Sequence, residues 1–144
     1  MAKVTKEKEM NVSAEALADV ILDFEKYPEI LGEVKSAKPT WGAEKKDAKV
    51  TFELEVVKRF SYDLKFDIDY PARIEWSLTK SDFFKENKGA WRIKKLGDKK
   101  CYVTYEVEVG FGFLVPGWIT KKLTEVNLPK MLEKFESAAQ RKGD

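Results

Sequence analysis

Histidine is absent from this chain of 144 residues, and cysteine occurs once, at Cys101. Without imidazole there is no Ser-His-Asp or Cys-His nucleophile pair, no His-ligated zinc and no proton shuttle poised near neutrality. A single cysteine excludes an intrachain disulfide and a cysteine-rich metal cluster, so neither a metal site nor a cofactor is expected. Long apolar runs are missing as well: no stretch reaches the ~18–20 uninterrupted apolar residues of a membrane span. The first residues, Met1-Ala2-Lys3-Val4-Thr5-Lys6-Glu7, lack the apolar core of a signal peptide, and a cytoplasmic protein is the expectation. There is no excess of one charge either, with 27 basic against 25 acidic residues and a net charge of +2. The basic pairs Lys45-Lys46, Lys94-Lys95, Lys99-Lys100 and Lys121-Lys122 are scattered among acids. Nucleic-acid binding asks for basic residues gathered on one face, so a nucleic-acid partner is not expected.

What the chain does contain is periodicity. No repeat, low-complexity tract or Pro/Gly/Ser-rich linker divides it, and its length suits one domain spanning residues 1–144. Val4 to Val12 reads as a charged strand. Ser13 then stands as an N-cap with Glu15 near the positive end of the helix, and Leu17, Val20, Ile21 and Phe24 recur at helical spacing. Pro28 breaks that pattern, with room for one further turn to Leu31. From about residue 34 to 111 the period becomes two. Val50, Phe52, Leu54 and Val56 alternate with polar residues, as do Tyr62, Leu64, Phe66 and Ile68. Ile74, Trp76 and Leu78 follow, then Trp91 and Ile93, then Val103, Tyr105, Val107 and Val109. Such alternation leaves one face apolar and the other wet, the pattern of an antiparallel sheet. Gly97-Asp98-Lys99-Lys100 fits a hairpin turn between two of these strands.

The segment from Pro116 to Arg141 is helical in composition but carries Pro129. Ile119, Leu123 and Val126 form one apolar stripe, and Leu128, Leu132, Phe135 and Ala139 another. On a straight helix the two would face opposite ways, so a kink near Asn127–Pro129 is predicted. The apolar sheet face needs a cover, and the covers available are the short helices after the first strand and the long C-terminal one. The fold class is therefore α+β, a curved antiparallel sheet of six to seven strands wrapped around a long C-terminal helix. Curvature leaves space between sheet and helix, and Phe52, Leu54, Tyr62, Phe66, Trp76, Trp91, Val103, Tyr105 and Val107 are expected to face it. One by one they suit a filled core; as a set they suit a dry cavity for an apolar ligand.

Asp23-Phe24-Glu25-Lys26-Tyr27-Pro28-Glu29-Ile30-Leu31 resembles the aspartate-x-x-x-tyrosine-proline signature of START-like (SRPBCC, helix-grip) proteins, the polyketide cyclase/dehydrase and coenzyme-Q-binding-protein-like group. The resemblance continues in Gly89-Ala90-Trp91-Arg92-Ile93, Val103-Thr104-Tyr105-Glu106-Val107, Val115-Pro116-Gly117-Trp118-Ile119 and Asn127-Leu128-Pro129-Lys130-Met131-Leu132. It covers nearly the whole chain and implies the helix-grip fold. For function it implies a cavity for lipids, quinones, polyketides or sterol-like molecules; some members are catalytic, and one bacterial branch associates with ribosomes. Coenzyme-Q-type members carry an apolar residue and a proline after the Tyr-Pro element. Here Leu31-Gly32 stands instead, which argues against quinone specificity.

The segment Phe111-Gly112-Phe113-Leu114-Val115-Pro116-Gly117-Trp118 fits two roles. Folded back, it plugs one end of the cavity; turned out, it is a gate or membrane-touching lip. Phe113, Trp118 and Leu123 join the ligand-binding candidates on that basis. Tyr27 beside Pro28 reads as a structural pin. Tyr62 and Tyr105 present hydroxyls to orient a ligand's polar end, and Cys101 falls in the inward register as a small buried hydrophobe. Arg92 and the strand acids alternate outward, so no inward carboxylate pair is available for acid–base work, and no catalytic residue is assigned. The expected function is binding of a hydrophobic small molecule or lipid, with transport or presentation as its use. A cyclase/dehydratase in the same cavity is the alternative, and a ribosome-associated regulator the second.

Overall fold

The computed structural model describes residues 2–55, 59–81, 84–111, 121 and 128–143. These include the strands β1 (Ala2–Met10), β2 (Val34–Trp41), β3 (Asp47–Glu55), β4 (Arg59–Asp69), β5 (Arg73–Ser81), β6 (Phe84–Gly97) and β7 (Lys100–Phe111). Helices α1 (Ala14–Leu22) and α2 (Tyr27–Ile30) follow β1, joined by a 3-10 turn at Phe24–Lys26, and α3 (Leu128–Gly143) closes the chain.

The strands form one antiparallel sheet in the order β1-β7-β6-β5-β4-β3-β2. Chain neighbours pair through hairpins from β2 to β7, as period-two segments with short polar turns dictate. β1 returns to pair with β7, bringing Met10 opposite Cys101. The predicted turn is present, with Gly97 paired to Lys100. The alternation lands in the expected register: Val50, Phe52, Leu54, Leu64, Phe66, Ile68, Ile74, Trp76, Trp91, Ile93, Val103, Tyr105, Val107 and Val109 are all buried. Register shifts at Val34/Ser36, Asp63/Leu64 and Phe84/Glu86 insert bulges, which bend the strands and curl the apolar face inward.

Ser13 caps α1 through its Oγ, which accepts from the Ala16 N–H at 3.0 Å, and Glu15 sits in the first turn. Leu17, Val20, Ile21 and Phe24 are buried, as their spacing requires. The first strand stops at Met10 rather than running to Val12. The reason is local: the Asn11 N–H donates to the Glu136 carboxylate on α3 at 3.0 Å instead of to a strand partner. On α3, Leu132, Phe135 and Ala139 are buried; the helix packs along α1, and Phe135 meets Trp91 of the sheet. The predicted kink, the stripe Ile119, Leu123 and Val126, and the segment 112–118 lie outside the described residues. Pro129 falls within α3, close to where the described part of the helix begins.

Candidate functional site

Strands β2 to β7 curl around a cavity of about 180 Å³ that α2 and α3 cover. The sheet register decides which side chains meet there. Phe52 pairs with Tyr62, Phe66 with Trp76, Trp76 with Gly89, and Trp91 with Tyr105. Three of these pairings set two inward aromatic rings side by side, and at the fourth the Trp76 indole lies over Gly89, so together they build an aromatic wall. Phe52 and Tyr62 stack with ring centroids 5.5 Å apart, and Trp91 meets Tyr105 edge-on at 4.7 Å. From the other side α3 contributes Phe135, whose ring lies 5.3 Å from Trp91 and 5.4 Å from Tyr27.

Gly89 makes the Trp76 position possible. A Cβ built there would lie 2.5 Å from the Trp76 ring and 2.4 Å from the Glu106 carbonyl oxygen, so only glycine admits the indole across the strand. The Trp76 Nε1–H donates to Asn87 Oδ1 at 3.0 Å, and Asn87 is itself buried on the cavity wall.

Of the predicted site residues, Phe52, Leu54, Tyr62, Phe66, Trp76, Trp91, Tyr105 and Val107 line the cavity. Val103 does not. It pairs with Ile93 nearer the β6–β7 hairpin, is fully buried, and belongs to the packed end of the molecule where α1 meets β6. Phe113, Trp118 and Leu123 lie outside the described residues. Cys101 is buried at the same packed end, and desolvation pushes its thiol up to about 11.

Sequence reasoning missed Asn87 and Glu33, the polar members of the lining, together with Tyr27 and Phe135. The signal for Asn87 was its even spacing from Trp91 along β6, where no apolar alternation drew notice. Tyr27 was read as a pin, and it is one: its hydroxyl donates to the Ile21 carbonyl at 2.5 Å. Its ring nevertheless also forms part of the cavity roof.

The phenols of Tyr62 and Tyr105 are differently placed. Among the described residues neither hydroxyl has a hydrogen-bond partner, while no fully buried side-chain nitrogen or oxygen is left unpaired. Both therefore retain contact with the cavity space. Burial drives the Tyr105 phenol far above its ordinary range, with Tyr62 adding to the effect; burial does the same to Tyr62, with the Glu33 carboxylate second. Both phenols stay protonated and able to donate.

A second, wider cleft of about 530 Å³ lies outside this cavity, between Trp41, Tyr70, four carboxylates and two lysines. One of those lysines, Lys45, already sits 5.6 Å over the Trp41 ring, and the cleft lacks the dry, convergent lining of the first.

A family profile described as polyketide cyclase/dehydrase and lipid transport matches residues 10–136. The chain belongs to that family. Among solved structures it is similar to a START superfamily protein from Mycobacterium smegmatis, at 23% identity with a TM-score of 0.82 over 96% of this chain and 97% of that one. It is also similar to the ZhuI aromatase/cyclase from Streptomyces sp. R1128, at 17% identity and a TM-score of 0.68 over 99% of this chain and 90% of that one. Human STARD10 matches at 18% identity and a TM-score of 0.77 over 96% of this chain and 63% of that one. At these identities the likeness establishes the START-like helix-grip fold. No curated protein matches the chain.

Proposed function

We propose that this protein binds a hydrophobic small molecule or lipid in the cavity between the sheet and α3, and holds it for transport or presentation. The observation that supports this most is the apolar space between sheet and helix itself. Close packing would fill such a volume with side chains, yet the aromatic rings of β3 to β7 stand around it. Eight of the residues picked from the sequence line it, from Phe52 to Val107, and they are the proposed contacts. Native mass spectrometry of protein purified without detergent tests the reading. A co-purifying apolar molecule supports it; an empty protein that co-sediments with ribosomal subunits would favour the regulator instead.

A cyclase/dehydratase reading draws on one observation, the Glu33 carboxylate on the lining beside Tyr62. Turnover of a poly-β-keto substrate, lost in Tyr62→Phe, would establish it. Transient membrane contact rests on the apolar segment 111–118. Phe113→Ser with Trp118→Ser should weaken liposome association, and unchanged association would remove that role.

A further inference from the structure

The size and polarity of the cavity narrow the class of ligand, an inference that rests on the cavity reading above. A space of ~150 Å³ accepts benzene, and sites for drug-sized ligands run to ~300–1,000 Å³. At about 180 Å³ the inner space of this part-open cavity holds a small ring system and is too small to take two acyl chains inside. Its wall is largely aromatic: Phe52 and Tyr62, stacked within 23° of parallel, and Trp76, whose ring lies 5.6 Å from that of Tyr105, all line it, and such a wall suits an aromatic guest.

Apart from the Glu33 carboxylate, the polar side chains of the described lining offer donors without an acceptor. The Tyr62 and Tyr105 hydroxyls have no partner among the described residues and remain protonated. Asn87 spends its oxygen on the Trp76 Nε1–H, an assignment chemistry fixes because an indole N–H only donates. Its Nδ2 hydrogens are left to donate. No lysine or arginine occurs among the described lining residues, and the one charged group there is the Glu33 carboxylate. Among the described lining residues an anionic head group meets a like charge and no counter-ion, which opposes its burial.

We propose that the ligand is a compact, flat, uncharged molecule of one or two fused rings bearing a carbonyl oxygen, which Tyr62, Tyr105 and Asn87 receive. Fatty acids and diacyl lipids fall outside this class.

Three probes test it by tryptophan fluorescence titration and calorimetry: methyl naphthyl ketone, naphthalene and palmitate. The ketone should bind several-fold more tightly than naphthalene, and palmitate most weakly. Tyr105→Phe should lower ketone affinity about fivefold, as expected for one hydrogen bond, and leave naphthalene affinity unchanged. Tighter binding of palmitate, or a ketone no better than naphthalene in the wild-type protein, would overturn the proposal while leaving the cavity reading in place. Failure of all three probes to bind would count against both. The wild-type comparison needs no variant, so it stands even if a substitution disturbs folding.

Discussion

At the scale of single residues, Gly89 carries more of the site than any aromatic side chain. Its missing Cβ lets the Trp76 indole lie across β6, and the indole in turn occupies the Asn87 oxygen. Gly89→Ala must displace either the ring or the Glu106 carbonyl. Because one obstacle is backbone, the strain is not relieved by a rotamer change alone. A loss of ~1–3 kcal/mol in chemical denaturation is expected, as for overpacked cores, together with a change in tryptophan fluorescence as Trp76 moves. An unchanged stability and spectrum would show that the strand tolerates the methyl group. Nothing in the sequence marked this position beyond its place in Gly89-Ala90-Trp91, because the requirement comes from a residue thirteen positions earlier. The aromatic lining was legible for a different reason. Period-two alternation states which face a side chain occupies, and a face is enough to place Phe52, Phe66 or Tyr105 indoors. It says nothing about position along the strand, which is why Val103, on the right face, sits at the packed end outside the cavity.

Among the elements, α3 is the one whose attachment was invisible in its own pattern. Leu132, Phe135 and Ala139 announced a buried stripe, but Glu136 beside them is also 9% exposed and reads from sequence as a surface acid. Its carboxylate accepts from Lys8 Nζ at 2.7 Å and from the Asn11 N–H at 3.0 Å, bolting the middle of α3 to the end of β1. These partners lie more than a hundred residues apart, beyond the reach of any local reading. Glu136→Ala should cost ~1.5–3 kcal/mol, the range for hydrogen bonds to a charged group, with Lys8→Met costing less because the Lys8 ammonium is partly solvated. Equal stabilities for wild type and Glu136→Ala in urea denaturation would show that packing alone holds the helix.

The tyrosines on α2, β4 and β7 make a second statement at this scale, about pH. Tyr27, Tyr62 and Tyr105 are all driven upward chiefly by burial. Their unfolded counterparts ionise near ~10. Above that value the unfolded chain has lost protons that the folded protein still holds, so stability falls as pH rises. Stability should begin to decline from about pH 8.5, where an unfolded Cys101 thiol ionises and the buried one does not, and fall more steeply from about pH 10 as the tyrosines contribute. The ultraviolet signal of tyrosinate should rise in two stages. Exposed Tyr102 and Tyr70, the latter held near 12 by desolvation and its bond to Asp19, ionise from the folded state. The three buried phenols follow only with unfolding. Simple, non-cooperative titration of all five would contradict the burial of the cavity tyrosines.

Across the whole molecule, charge and apolarity are sorted to opposite faces of one sheet. On the outer face Arg92 bonds Glu106 at 2.8 Å and reaches towards Glu75, Arg73 bridges Glu75 and Asp67, and Lys88 bridges Glu86 and Glu108. The near-equal count of acids and bases in the sequence is reflected in this lattice, with acid and base paired both along and across strands. Exposed pairs of this kind contribute ~0–1 kcal/mol each, so the inner face holds the fold. Among the described residues no helix is long and apolar enough to cross a membrane. The overall architecture was readable because a helix-to-strand change of period, repeated alternation and a terminal amphipathic helix leave few ways to bury the apolar surface. The cavity's dimensions were not readable, since volume is what remains after every side chain has been placed.

The central claim is that the space under α3 is a ligand site rather than a packing defect, and one titration addresses it directly. Val107 lines that space from β7, and Val107→Trp would fill it. Methyl naphthyl ketone should bind the wild-type protein and quench its tryptophan fluorescence, whereas Val107→Trp, folded by circular dichroism, should lose at least tenfold in affinity. Equal affinity of the wild-type protein and the filled variant would place the ligand elsewhere and contradict the account.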